Sequence, residues 1–352
     1  MRPTVSATIV TYNAERHVVR CLQSLLAQTY PCFEIIIVDN GSADNTCALA
    51  GTFAGVRIIH NFANSGYCAA QNQAISASTG DWILCLNPDT SLQPDCVELL
   101  VRAGELHPAI GIVCPKILRM DADGKYFDPP VFDSAGVYIT LGLRHFDRGS
   151  ELIDYGQFDN IEYVFGYTGA IVLFRRTMVN DTSIQGELLD NDFFYYREDA
   201  DLSWRSKLLD WRCLYVPHAV GHHVRRVLPS NRRSLPPLIN LHSTKNRFIM
   251  RINNMTAGVY TKLIFPATVR DLGIFLYVLA FERSSLPGLL WVFRNRKRLW
   301  AKRKSILSRR RVPDSDLKQW FNNEPVSYPL EQVLHEALNT LSPPRVSGQS
   351  SR

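Results

Sequence analysis

Four polar clusters in this 352-residue chain carry groups able to do chemistry. Asp39 ends the apolar run Phe33-Glu34-Ile35-Ile36-Ile37-Val38. A carboxylate there can accept a hydrogen bond from the N3–H of a uracil or thymine ring, or it can cap a turn. Asn87-Pro88-Asp89 ends the run Trp82 to Leu86. Its oxygens suit the hard divalent cation, Mg2+ or Mn2+, that two phosphates need; a type I turn built on Pro88 is the plainer alternative. Glu198 and Asp199 are adjacent acids at a helix start. Mutual repulsion raises such a pKa and the helix dipole lowers it, and a carboxylate so placed can take a proton as general base. His222-His223 follow a short strand and Pro217; imidazole favours Mn2+ over Mg2+, and for His222 a buried structural role is equally open.

These clusters need elements to position them. Val5 to Val10 reads as a strand, followed by helical spacing of Val18, Leu22, Leu25 and Leu26 over 14 to 28, with Asn13 as N-cap. The strand ending at Asp39, a short helix around 44 to 53, a strand at 56 to 59, a helix over 66 to 78 and a strand from Asp81 to Leu86 continue the alternation. Near-continuous apolar strands separated by helices predict an α/β fold with a mostly parallel central sheet covered on both faces. Ligands then bind outside the carboxyl ends of the strands, where Thr11-Tyr12-Asn13, Asp39-Asn40, Asn61 to Asn64 and Asn87-Pro88-Asp89 all fall. Later strands are expected at 110 to 118, 169 to 174 and 212 to 216, an amphipathic helix at 198 to 209, and helices over 239 to 253 and 258 to 311. Residues 119 to 160 are turn-rich.

Composition is ordinary for a globular chain, with 46% apolar and 20% charged residues. None of the eight cysteines has C-x-x-C spacing, which leaves a zinc ribbon or thioredoxin-type site unsupported and fits buried free thiols in a reducing cytosol. The N-terminal apolar run is too short for a signal segment, so a cytoplasmic location is expected. The net charge of +6 is local: residues 294 to 311 hold ten Lys/Arg and no acid, which suggests an anionic partner for that segment. Lys262, Arg270 and Asp271 interrupt the apolar stretch 258 to 281, which argues against a spanning helix. Leu286 to Phe293 beside the basic run favours an interfacial segment at the inner face of the plasma membrane; a packed helical subdomain with a solvated basic face is the alternative. No nucleic-acid recognition motif accompanies the charge.

Taken in order at strand ends, Val10-Thr11-Tyr12-Asn13, Val38-Asp39-Asn40-Gly41-Ser42 and Asn87-Pro88-Asp89 resemble the family 2 glycosyltransferases over roughly residues 4 to 225. Asn61-Phe62-Ala63-Asn64-Ser65-Gly66-Tyr67 with Asn72 resembles that family's N-x-G-(F/Y)-x-x-x-x-N element. Arg197-Glu198-Asp199-Ala200-Asp201-Leu202-Ser203-Trp204-Arg205 resembles its E-D-x-D-L-x-x-R segment. The chain is most similar to bacterial rhamnosyltransferase-like members that build cell-surface polysaccharides. The resemblance implies a GT-A (Rossmann-like) fold and an inverting transfer from a dTDP- or UDP-sugar to a saccharide or lipid-linked acceptor. The missing Q-x-x-R-W motif implies single addition. An inactive nucleotide-sugar-binding or membrane-associated relative is the alternative.

By the same resemblance, Thr11, Tyr12, Asn13 and Glu15 frame base and ribose beside Asp39, and Asn64, Gly66 and Asn72 lie toward the diphosphate. Asn87 stands where the family's D-x-D motif has its first acid, near ribose or diphosphate. Asp89 and His223 hold the divalent cation, Asp199 is the base and Glu198 positions the acceptor. Arg225, Arg226, Arg232 and Arg233 either clamp phosphate or form a solvated basic loop. Asp201 and Arg205 can pair at i, i+4. The expected organisation is 1 to 230 as the transferase domain, with its nucleotide-sugar half about 1 to 118 and its acceptor half about 119 to 230. A helical basic extension over 231 to 311 and a partly disordered tail over 312 to 352 follow.

Overall fold

The structure, a computed structural model, describes residues 2–32, 34–225 and 236–331. Its first half is the expected alternation: β1 (Val5–Thr11), α1 (Val18–Leu26), β2 (Glu34–Asp39), α2 (Thr46–Ala50), β3 (Val56–His60), α3 (Tyr67–Ser76) and β4 (Trp82–Leu86). β1 pairs in parallel with both β2 and β4, and β2 with β3. Side chains alternate along these strands. Ile35 and Ile37 therefore join the main core, whereas Ile36 and Val38 face the other side with Val10 and the α3 residues Ala70 and Ala74. Both faces of the sheet are covered.

Next come β5 (Thr90–Leu92), α4 (Cys96–Gly104), β6 (Ile110–Arg119), β7 (Phe132–Ser134), β8 (Val137–Ile139), β9 (His145–Asp147), β10 (Glu162–Val164), β11 (Ile171–Arg175), α5 (Arg176–Thr182), α6 (Glu198–Leu208) and β12 (Arg212–His223). The strand order β10-β12-β6-β11-β4-β1-β2-β3 forms the body of an eleven-stranded sheet. β11 runs antiparallel between β4 and β6, and β12 runs parallel to β6. β12 does not stop at Val216: an irregularity between Val216 and Val220 absorbs Pro217, and pairing resumes to His223. The chain closes with α7 (Pro237–Asn254), α8 (Ala257–Phe281), α9 (Leu286–Arg294), α10 (Arg296–Leu307), α11 (Asp314–Lys318) and β13 (Ser327–Pro329). β13 pairs with β10, so residues 312 to 331 are ordered against the sheet edge; the last residues of the expected tail lie outside the described ones.

Three expectations change. Helix α1 starts at Val18, not near 14, and Asn13 adopts φ 51°; its Oδ1 accepts from the Ala43 N–H, so it joins two loops and caps nothing. Helix α6 is not amphipathic, since every residue from Ala200 to Leu208 is buried. It is polar yet enclosed because its charges are paired. Arg205 Nη2 lies 3.2 Å from Asp201 Oδ2, and Asn254 of α7 donates to Asp201 Oδ1 at 2.6 Å. Nor is the basic run a free surface: Arg298, Lys302, Arg309 and Arg311 pair with Asp190, Asp192 and Asp181. Only part of it, including Arg294, Arg296, Lys297 and Lys304, stays exposed.

Helix α8 segregates the charges that interrupt it in sequence. Lys262 donates to the carbonyls of Lys318 and Phe321, and Asp271 accepts from Arg247 and Arg251. These contacts, with buried Val259, Leu263, Ala267 and Val278, face inward. Phe265, Val269, Leu272, Leu276 and Leu279 form an exposed stripe at helical spacing, joined by Phe281, Leu290, Phe293 and Trp300. By length and composition alone the helix is long and apolar enough to cross a membrane, and only 17% of its apolar window is buried.

Candidate active site

The carboxyl ends of β1, β2 and β4 bring the sequence-selected residues to one edge of the sheet. Asp39 is buried, and its Oδ1 accepts from the hydroxyls of Thr11 (2.9 Å) and Ser42 (2.5 Å) while its Oδ2 accepts from the Ser42 N–H. Burial opposes ionisation, but these donors prevail and hold its pKa low. Thr11 therefore orients Asp39. Tyr12 is half exposed beside it. Glu15 Oε2 accepts from Asn45 N and Nδ2, so Asn13 and Glu15 both pin the first loop to the second. They also line, with Arg119, Asp121, Phe127 and Arg225, a cleft of about 550 Å³.

The Asn64 element turns out to be a brace. Asn64 Oδ1 accepts from Gly66 N and Asn40 Nδ2. Gly66 has φ 88°, and a Cβ there would lie 2.5 Å from the Phe194 ring, so only glycine lets the two loops touch. Asn72 donates to Leu189 O and Asn191 Oδ1 and accepts from Leu188 N and Leu189 N. With all four bonds made inside the protein, Asn72 holds the loop before α6 and has no group left for a nucleotide.

Asn87 ends β4 with its N–H on Ala170 O and its carbonyl accepting from the Thr90 hydroxyl. Two residues on, Asp89 Oδ1 lies 3.4 Å from His223 Nε2. The other ring nitrogen, Nδ1, is 2.8 Å from Asp133 Oδ2. Burial disfavours charge on this ring, but Asp133 and Asp89 overcome it and push the pKa up to about 10. A carboxylate behind one imidazole nitrogen and a second carboxylate in front of the other is the arrangement that orients a metal-ligating histidine. The donor set Asp89 Oδ1 and His223 Nε2 thus fits a divalent cation, which must displace the ring proton. His222, one residue earlier on the strand, points the opposite way and stacks on Tyr126 at 3.8 Å.

Arg225, expected to clamp phosphate or lie in a solvated loop, instead joins a partly buried chain with Asp133 and Asp147, two residues without a sequence signal. Arg225 bonds Asp133 Oδ1 at 3.3 Å and Asp147 Oδ2 at 2.5 Å, and Asp147 in turn raises the pKa of Asp199. The chain links the Asp89 turn to the acidic pair. Arg226, Arg232 and Arg233 lie outside the described residues.

Glu198 and Asp199 open α6, and burial, joined by neighbouring acids, raises both: Glu198 to about 8 and Asp199 to about 6. Asp199 Oδ1 accepts from the Ala200 N–H (2.7 Å), whereas Glu198 Oε2 has no hydrogen-bond partner among the described residues. The loop before them holds Phe194, Tyr196 and Arg197 at φ 67°, 65° and 72°, a conformation that costs bulky residues about 1–3 kcal/mol each. Helix α7 keeps it there. Asn246 Nδ2 donates to the carbonyls of Phe193, Tyr195 and Tyr196, Lys245 to Asp192 O, and Arg197 to Ser243 O. Asn246→Ala is expected to lower stability by about 1–3 kcal/mol and to speed amide exchange in residues 193 to 197 ahead of the sheet; uniform exchange would show that α7 does not hold the loop.

The sequence model described as "Glycosyl transferase family 2" matches residues 6–179. The N-acetylglucosaminyl-diphospho-decaprenol L-rhamnosyltransferase of Mycobacterium tuberculosis is 29% identical over 243 residues, covering 63% of this chain and 77% of that protein. The putative glycosyltransferase EpsH of Bacillus subtilis is 29% identical over 206 residues, 55% of each chain. Among solved structures, GalNAc-T7 with UDP, GalNAc and Mn2+ superposes with a TM-score of 0.55 at 15% identity, over 71% of this chain and 48% of that one. S. aureus TarS 1-349 does so with a TM-score of 0.51 at 15% identity, over 86% and 83%. Both likenesses bear on the fold, which is that of GT-A glycosyltransferases.

Proposed function

The chain belongs to glycosyl transferase family 2, and from that premise we propose that it is an inverting, single-addition transferase moving a sugar, rhamnose by analogy with the mycobacterial relative, from a dTDP- or UDP-sugar to a saccharide or lipid-linked acceptor. The observation that carries the reading is that Asp39 and the Asp89–His223 pair lie at the carboxyl ends of β2, β4 and β12, with Asp199 opening α6 within electrostatic reach of the Asp147–Arg225 pair behind His223. Asp39 receives the N3–H of the base. Tyr12 covers the ring, and Asn13 and Glu15 shape the loop around the ribose. Asn87 faces the ribose or diphosphate. Asp89 and His223 hold Mg2+ or Mn2+, which when bound neutralises the leaving diphosphate. Asp199 takes the acceptor proton as its oxygen attacks the anomeric carbon opposite the leaving group, and Glu198 positions the acceptor. Mn2+ accompanies UDP and GalNAc in the GalNAc-T7 structure, which agrees with this assignment.

Hydrolysis of a panel of UDP-, dTDP- and GDP-sugars with Mn2+ or Mg2+ tests it. Slow, metal-dependent turnover of one donor is the expected result. Failure to bind any donor would remove the transferase reading; binding without turnover would favour an inactive relative.

The same reading gives the exposed stripe of α8 a place. With Arg294, Arg296, Lys297 and Lys304 nearby in the chain, it lies on an anionic inner leaflet and brings the site to a lipid-linked acceptor. Vesicles rich in phosphatidylglycerol should then retain the protein, less so as salt rises. One exposed Phe forfeits about 1.5–3 kcal/mol of burial, so Phe265→Ser should lower partitioning by about 10- to 100-fold. Equal sedimentation of both proteins would remove this surface from the membrane.

A further inference from the structure

Three potential ligands meet at the nucleobase end of the crevice, and two of them have no part in the reading above. Asp39 and His60 are the last residues of β2 and β3 and stand opposite each other in the parallel pair. Cys47, in the first turn of α2, lies over that pair, its Sγ 3.6 Å from His60 Nδ1. One donor atom from each residue, sulfur, nitrogen and carboxylate oxygen, falls within 4.8 Å of the others.

The set matches a borderline cation better than a hard one. Zinc binds thiolate at ~2.3 Å and imidazole at ~2.0–2.1 Å, so the sulfur–nitrogen edge of a tetrahedron is ~3.6 Å, the separation of Cys47 and His60. Asp39 can complete the set. Its Oδ1 serves two hydroxyls and its Oδ2 accepts the Ser42 N–H, while the Cys47 thiol also hydrogen-bonds this carboxylate, a place a cation would take once the thiol loses its proton. Access is open, since His60 is exposed and Cys47 half-buried. Burial, and the Asp39 carboxylate beside it, push the Cys47 thiol up to about 11, so a cation would have to displace its proton.

We propose that Asp39, Cys47 and His60 form a Zn2+ site with its fourth position open to solvent, and that zinc and the donor base exclude each other by competing for Asp39. The first half stands on the three side chains alone. The second rests on the base-reading role proposed for Asp39. Zinc at this position blocks the donor without touching the Asp89 and His223 pair.

Cobalt separates the two metal sites, because only a cysteine ligand gives a sulfur-to-cobalt charge-transfer band. Cys47 and Cys32 are the cysteines not fully buried. Titration of the whole chain with Co2+ should produce the band and Zn2+ should bleach it. Cys47→Ser should abolish it. His60→Ala should weaken Zn2+ binding by more than the ~10–100-fold that loss of an outer-shell partner costs. Both variants should keep wild-type donor hydrolysis in the absence of zinc, which certifies their folds. No band, or a band that survives Cys47→Ser, overturns the site. Uridine, which lacks the diphosphate that could strip the metal, should then bleach the cobalt band in the wild type. A band that persists in saturating uridine overturns the exclusion and the base-reading role of Asp39, while leaving the zinc site standing.

Discussion

Asp199→Asn should lower kcat for sugar transfer by about 10²–10⁴-fold, the range that a positioned general base supplies, with the KM for donor nearly unchanged. The substitution is close to isosteric and keeps an oxygen for the Ala200 N–H that Asp199 Oδ1 now accepts, so the start of α6 should hold its shape. What it removes is a carboxylate that burial and Asp147 raise to about 6. A base must be deprotonated to act, so the wild-type kcat/KM should rise with pH through about 6 and level off above it. The Asn variant should lose that limb along with its rate. If the variant keeps the limb, the proton goes elsewhere, and Glu198 becomes the first candidate. A large KM change with kcat intact would assign Asp199 to binding. Since Glu198 and Asp199 influence each other, the measured value belongs to the pair.

What could be read from the chain follows the physics of each part. β1, β2 and β4 are buried on both faces and announce themselves as continuous apolar runs, so the residues that end them, Thr11, Asp39 and Asn87, were placed at the crevice from sequence. His223 could be preferred over His222 only by resemblance; the structure adds the reason, since strand alternation turns one ring to Asp89 and the other to Tyr126. Asp133 and Asp147 gave no signal. They sit on three-residue strands within a turn-rich stretch and meet Arg225 across more than 70 residues of chain. The polarity of α6 reads as a solvent face because, beyond the Asp201–Arg205 pair inside the helix, the groups that satisfy it, such as the Asn254 amide and the Leu188 carbonyl, lie elsewhere in the chain. The basic run misled for the same reason: its partners Asp181, Asp190 and Asp192 precede it by more than 100 residues. Charge counted along a chain says nothing of where its counter-charge will fold.

The strain gathered at the acidic pair leads to an expectation of the opposite sign for stability. Glu198→Gln should stabilise the protein, and more so as pH rises. Burial and the adjacent Asp199 raise the Glu198 pKa from 4.5 to about 8, so the folded state favours the protonated acid. The unfolded chain ionises freely above 4.5. Stability held by the raised pKa is therefore complete below that value and is lost progressively as pH climbs to about 8. A neutral glutamine escapes the loss. At pH 5 the two proteins should melt within a few degrees of each other; at pH 8 the variant should gain on the order of 2–4 kcal/mol, one pKa unit being worth about 1.4 kcal/mol before solvent screening is allowed for. Thermal melts at the two pH values decide it. A gain that does not depend on pH would trace the effect to packing, and a loss would mean that the unpartnered Oε2 finds a donor that glutamine cannot replace. Glu198, proposed to position the acceptor, is an acid that the fold holds against its own stability, which is how a site with carboxylates in a dry pocket trades stability for function.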